Sequence, residues 1–266
     1  MSGMKRIFLL LMILTAASSA LSVTAAAGPE IVFRMDQVYG SEMEGVIHYN
    51  LYVPEGYDGS VPYALYVALP GWGGLYFQGV GSDLREPFPY AGPEYEPEMI
   101  VVSPQLNDWG ETSARQTIAL TEHLMRAYAI DPDRVYISGY SGGGETLSIV
   151  MGLRPELYTA ALHVSSQWDG DLAALADAMT PLYLFIGEDD DYYGSDSVKE
   201  TYAALAGLYR EKGLTDEAID RLLVMDIKDA AWFAQRNASS QHGGGGLAAR
   251  EADIMNWLFS QRKEDP

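Results

Sequence analysis

Short apolar runs and amphipathic helix-length stretches alternate along most of this 266-residue chain, and that alternation constrains its fold more than any other feature. Strand-like runs stand at Glu30 to Asp36, Val46 to Val53, Tyr63 to Leu69, Met99 to Ser103, Val135 to Ser138, Ala160 to Ser165, Leu182 to Ile186 and Leu222 to Ile227. Helical spacing appears at Thr112 to Tyr128, Gly143 to Leu153, Ser197 to Tyr209 and Ala248 to Ser260. Strands fed by crossover helices make a mostly parallel sheet covered on both faces. The expectation is therefore an α/β fold of about eight mostly parallel strands. The link between the first two runs is short, so those two strands can be antiparallel.

The run Val135 to Ser138 leads into Gly139-Tyr140-Ser141-Gly142-Gly143-Gly144 and then into a helical pattern. A strand, a sharp turn and a helix push the turn's serine above the sheet edge, and flanking glycines avoid collisions with the neighbouring backbone. Ser141 is thus a candidate nucleophile; the plainer reading is a glycine-rich loop. A serine hydroxyl needs a base, and the base an orienting acid. Of the four histidines, His48, His123 and His163 fall inside expected strands or helices. His242 lies in a loop between the last strand and the last helix, followed by four glycines. It is the histidine placed to reach over a sheet edge. In this architecture the acid falls between serine and histidine in chain order. The strand at Leu182 to Ile186 ends there in Gly187-Glu188-Asp189-Asp190-Asp191, four consecutive carboxylates that could instead hold a hard cation or be merely solvated.

Composition narrows the chemistry. The chain has no cysteine, which excludes disulfides, thiolate metal sites and cysteine nucleophiles. No His-x-x-x-His spacing occurs, and nothing calls for a cofactor or a metal. Lys5-Arg6, the apolar run from Ile7 to Ala17 and the small residues Ala25-Ala26-Ala27 have the order of a secretory signal. The expectation is cleavage of residues 1–27, leaving one catalytic domain at residues 28–266 in the extracellular or periplasmic space, with no stable membrane anchor. That mature segment carries 15 basic and 37 acidic residues, a formal charge of −22. Such a surface repels phosphate backbones, so nucleic acid is not an expected partner.

Gly139-Tyr140-Ser141-Gly142-Gly143, Gly187-Glu188-Asp189-Asp190 and Gln241-His242-Gly243 resemble the nucleophile, acid and histidine segments of α/β-hydrolases. The likeness is to exported esterases and peptidases of the prolyl-oligopeptidase and polyhydroxybutyrate-depolymerase type, and it runs from about Val46 to Leu258. The resemblance implies a triad of Ser141, Asp190 and His242, with the acid three residues after the glycine that ends its strand. Asp189 and Asp191 stay open as alternatives. It also implies an oxyanion hole formed by the backbone of Gly142 and of Pro70-Gly71-Trp72-Gly73, with Trp72 as second donor; the family often has His-Gly where this chain has Pro70-Gly71. Trp72, Trp109, Trp168 and Trp232 each follow a strand on the side where open α/β sheets bind ligands. Trp109 and Trp168 are candidates for lining a pocket. The expected function is hydrolysis of small or polymeric carboxylic esters through an acyl-enzyme. A peptidase acting on a peptide is the alternative, and a catalytically silent binding protein is the alternative of another class. Nothing in the sequence sets the oligomeric state.

Overall fold

The computed structural model describes residues 31–263; the signal expected at residues 1–27 lies outside them. Eight strands form one sheet: β1 (Arg34–Ser41), β2 (Gly45–Tyr52), β3 (Tyr63–Leu69), β4 (Met99–Gln105), β5 (Ile130–Tyr140), β6 (Ala160–Val164), β7 (Leu182–Gly187) and β8 (Leu223–Lys228). Their spatial order is β1-β2-β4-β3-β5-β6-β7-β8. The pairs β1–β2 and β2–β4 are antiparallel, and from β4 to β8 every pairing is parallel. This is the α/β-hydrolase fold.

The buried stretches of the central strands are mostly apolar because both faces of the sheet are covered. In β3, Leu65, Val67 and Leu69 point to one core, and Ala64, Tyr66 and Ala68 to the other. The first core is closed by α2 (Glu111–Ala127), α3 (Gly142–Leu153) and α5 (Asp196–Glu211), through residues such as Leu120, Leu147 and Leu205. The second is closed by α1 (Phe88–Tyr95) and α8 (Ala252–Ser260), through Phe88, Met255 and Phe259. Tyr136 of β5 crosses into the second core, where its hydroxyl lies 3.0 Å from the Phe259 carbonyl and 2.9 Å from that of Gln261. That contact satisfies carbonyls at the end of α8 which no helical N–H can reach.

β5 begins at Ile130, ahead of the expected Val135, and the first strand and last helix also differ from the expectation. The apolar residues 31–33 do not begin the first strand: Phe33 packs against Tyr90 at 5.4 Å and Tyr52 at 6.0 Å, while pairing starts at Arg34 and shifts register before Gln37. Asp36 sits in that irregularity with φ 47°, its N–H held by Asn50 Oδ1 at 2.9 Å. The expected helix from Ala248 to Ser260 is two elements, a 3₁₀ segment at Gly243–Arg250 and α8, broken at Glu251, whose backbone is extended. Four short helices carry too few turns to show a period: α1, α4 (Leu172–Ala178), α6 (Asp216–Leu222) and α7 (Ala230–Gln235). Three are started by side-chain caps, Asp171, Thr215 and Asp229. In α1, Pro89 in the first turn and Pro93 inside the helix hide the helical pattern.

β3 lies between β4 and β5, so the chain leaves it in one direction for β4 and crosses back to β5. Between the carboxyl ends of β3 and β5 is the crevice where open α/β sheets bind ligands. Leu69 pairs with Gly139, which sets the segment Pro70-Gly71 beside Tyr140-Ser141. The packing around that crevice should be unforgiving. Leu184, fully buried in β7, should lose about 2–5 kcal/mol of stability on Leu184→Ala, measured as a lowered denaturant midpoint at unchanged slope.

Candidate active site

Ser141 leaves β5 with φ 53° and ψ −124°, a left-handed backbone that a non-glycine residue adopts only under constraint. Three contacts supply it. The Ser141 N–H donates to the Val164 carbonyl at 3.0 Å, the Ser166 hydroxyl donates to the Ser141 carbonyl at 2.7 Å, and α3 starts at the next residue. The flanking glycines are required by close approach: a Cβ on Gly139 would come 2.3 Å from the Gly143 carbonyl oxygen, and one on Gly143 2.5 Å from the Leu69 and Pro70 carbonyl oxygens.

Ser141 Oγ lies 3.0 Å from His242 Nε2. On the other side of the ring, Nδ1 is 3.1 Å and 3.2 Å from the two carboxylate oxygens of Asp190. Asp190 also accepts the N–H groups of Tyr192 and Tyr193, both at 3.0 Å. Its burial favours the protonated acid, but the His242 contact and the two backbone donors outweigh that and hold its pKa below the usual aspartate value. The carboxylate therefore stays charged where an imidazolium would form beside it. Neighbouring acids have other partners: exposed Asp191 accepts the His242 N–H at 3.1 Å, and the Asp189 N–H donates to Gln241 at 2.8 Å. Among the described residues no three His, Asp or Glu side chains converge as metal ligands.

The loop carrying His242 is pinned at several points. Tyr140 donates its hydroxyl to the His242 carbonyl at 2.9 Å. Further out, Arg236 grips Glu251 with two nitrogens at 2.9 Å and 3.0 Å, closing the base of the loop, and its guanidinium stacks 4.0 Å from the Trp232 ring. Trp232 is thus engaged in holding the loop, not in lining the crevice. The other histidines lie elsewhere. His163 is buried in β6 with its pKa pushed down to about 4 by desolvation, His48 contacts Asp36 at 2.8 Å, and His123 stacks on Tyr39 at 4.0 Å.

The N–H of Gly142, at the first position of α3, has no intrahelical acceptor. In the facing segment Pro70 carries no N–H, and the Gly71 N–H donates to Glu86 Oε1 at 2.8 Å. Trp72 and Gly73, the next residues with an N–H, open the 3₁₀ turn Trp72–Gly74, where the first N–H groups have no intrahelical acceptor. The Trp72 side chain is 62% exposed. Trp109 packs its indole against Gly142, where an added Cβ would come 2.4 Å from the ring; its buried Nε1 has no hydrogen-bond partner. Trp168 is half-buried, with its indole N–H donated to the Gly170 carbonyl at 3.1 Å within its own loop. Exposed Tyr192 places its ring 5.2 Å from that of His242. The Tyr193 hydroxyl donates to Glu145 at 2.9 Å. Of these supports, Ser166, Arg236 and Glu251 carry no motif. Their roles depend on distant pairings.

Comparison with known proteins follows the same line. The profile of the prolyl oligopeptidase family matches residues 105–225, which include Ser141 and Asp190. A thermostable esterase superposes with a TM-score of 0.70 at 23% identity, over 87% of this chain and 63% of that one. A feruloyl esterase module from Clostridium thermocellum gives 0.59 at 14% identity, over 88% and 90%. Oligopeptidase B from Leishmania major gives 0.58 at 14% identity, over 87% and 37%. The chain thus spans less than two thirds of the thermostable esterase and of the oligopeptidase. No curated protein sequence matches it. Fold and site together give an α/β-hydrolase fold that carries a serine, a histidine and an aspartate in contact. Its structural neighbours of that fold include an esterase and prolyl endopeptidases.

The three adjacent acids separate by mutation. Asp190→Asn should cut turnover by about 10⁴-fold, because an amide can hold His242 in the wrong tautomer. Asp189→Asn and Asp191→Asn should retain most of it, since neither carboxylate contacts the ring. Steady-state kinetics on the three variants reads the difference directly.

Proposed function

We propose that this protein is an exported serine hydrolase that cleaves carboxylic esters. Ser141 Oγ attacks the ester carbonyl while His242 Nε2 takes its proton, and the tetrahedral oxyanion is met by the N–H groups of Gly142 and Trp72. His242 then returns the proton to the leaving alcohol as the C–O bond breaks. Water, activated by the same imidazole, releases the acid from the acyl-enzyme. Asp190 orients His242 and stabilises the imidazolium throughout. The observation that carries this reading is the unbroken contact chain from Ser141 to His242 to Asp190, at 3.0 Å and 3.1 Å.

Two features support an ester. The chain covers 90% of the feruloyl esterase module it resembles, against 37% of the oligopeptidase. Exposed Tyr192, with its ring 5.2 Å from that of His242, and Trp109, packed against Gly142, put aromatic surface beside the nucleophile that suits an acyl or aryl group. The second reading, a peptidase, is favoured by the family match across residues 105–225. Export rests on the charged, apolar and small-residue order of residues 1–27; among the described residues no helix is long and apolar enough to cross a membrane.

A p-nitrophenyl ester and the p-nitroanilide of the same acyl group decide between the two activities. The ester should be turned over with a kcat/KM at least about 10³-fold above the anilide, and Ser141→Ala should remove nearly all of it. An anilide rate equal to or above the ester rate would make the protein a peptidase.

A further inference from the structure

The carboxyl of Glu86 lies against the oxyanion loop, and the acyl-transfer chemistry above makes no use of it. Glu86 follows the 3₁₀ turn Ser82–Arg85 and precedes Pro87, the residue before α1. It turns its carboxyl inward, where Oε1 accepts the Gly71 N–H at 2.8 Å. A Cβ built on Gly71 would come 3.1 Å from that same oxygen and 3.2 Å from Ser141 Cβ. Carboxyl, loop and nucleophile therefore meet at one residue, where a side chain would fit only tightly.

The groups facing Glu86 offer it no close counter-charge. Asp83, fully buried in the preceding turn, is a second carboxyl, occupied with the Asn50 amide at 2.8 Å and 2.9 Å. Tyr140 at the end of β5 feels the Glu86 charge as an unfavourable one. Arg85, Tyr90, Glu94 and Arg250 line with Glu86 a cavity of about 310 Å³, yet among the described residues no Lys or Arg forms an ion pair with it. Burial is the largest influence and pushes its pKa up to about 8; the Gly71 N–H pulls the other way, and the Asp83 charge adds to the rise.

We propose that Glu86 is a positioning residue of this site: it anchors the oxyanion loop through the Gly71 N–H, and does so as a neutral acid. The inference rests on the reading of Ser141 as nucleophile. That neutrality has an electrostatic consequence for the chemistry. A negative charge beside the loop would oppose the one developing on the substrate oxygen and weaken what the loop donors contribute. The sign of the pH dependence follows. The proton-bound form is the active one, so the rate holds below the Glu86 pKa and falls as pH rises through about 8.

The test is the second-order rate of Ser141 phosphonylation by a fluorophosphonate, read by intact mass from about pH 6 to about pH 10, alongside kcat and KM for an ester. The wild-type rate should fall above pH 8. Glu86→Gln keeps an acceptor for Gly71 and cannot ionise, so it should match wild type at neutral pH and lose the alkaline fall. Glu86→Ala removes the anchor and should lower kcat by about tenfold or more while leaving KM within about twofold. A wild-type rate that does not fall, a Glu86→Gln protein with an unchanged fall, or a Glu86→Ala protein with full kcat would each overturn the proposal. The wild-type profile decides even if a variant does not fold. Absence of labelling in wild type at every pH would instead overturn the reading of Ser141, and this inference with it.

Discussion

The contact on which the site depends is between two backbones. Gly143, in the first turn of α3, packs onto the Leu69 and Pro70 carbonyls so closely that a methyl group would sit 2.5 Å from both oxygens. That approach seats the amino end of α3 over the end of β3, and the pairing of Leu69 with Gly139 fixes the register beneath it. Between them Ser141 has one backbone conformation available, with φ at 53°. The strain is borne by the sheet core, in which β3 from Ala64 to Leu69 and β5 from Val135 to Gly139 are buried. A strained residue persists only where its surroundings over-determine it. Here they do so from the strand, the helix, the Val164 carbonyl and the Ser166 hydroxyl.

The same geometry explains why four separate strands contribute. Ser141 follows β5, the oxyanion segment follows β3, Asp190 follows β7 and His242 follows β8 by way of α7. All are parallel strands, so their carboxyl ends share one edge of the sheet. The distance the chain must bridge grows outward, and the means of holding each group change with it. Ser141 is fixed by backbone packing. Asp190 is fixed by two N–H donors of its own loop. His242, on the longest connection, needs the Tyr140 hydroxyl and the Arg236–Glu251 pair to hold its loop.

How much of this could be read from the sequence follows from which interactions are local. The strand–turn–helix around Ser141 is local, and the glycines that mark it are the ones close packing requires. The eight strands announce themselves because central strands buried on both faces are continuous apolar runs. The first strand is displaced because residues 31–33 are apolar for aromatic packing and not for pairing. The short helices escape because a helix of six to eight residues has no period to detect, and the break at Glu251 escapes because it depends on Arg236, 15 residues earlier. Spacing alone does not separate three adjacent aspartates; hydrogen bonds do, with Asp190 turned in to the His242 ring and Asp191 turned to its backbone. Glu86 carries no sequence signal at all, since its partner Gly71 becomes a neighbour only through the loop's return.

A crystal structure of the covalent adduct formed by a fluorophosphonate tests the central claim, that this strained turn presents a nucleophile between a histidine and two backbone donors. The account predicts phosphorus bonded to Ser141 Oγ, with one phosphonyl oxygen about 2.7–3.1 Å from the N–H groups of Gly142 and Trp72 and the His242 ring still against Asp190. An adduct on another residue, or a phosphonyl oxygen turned away from both donors, would contradict it.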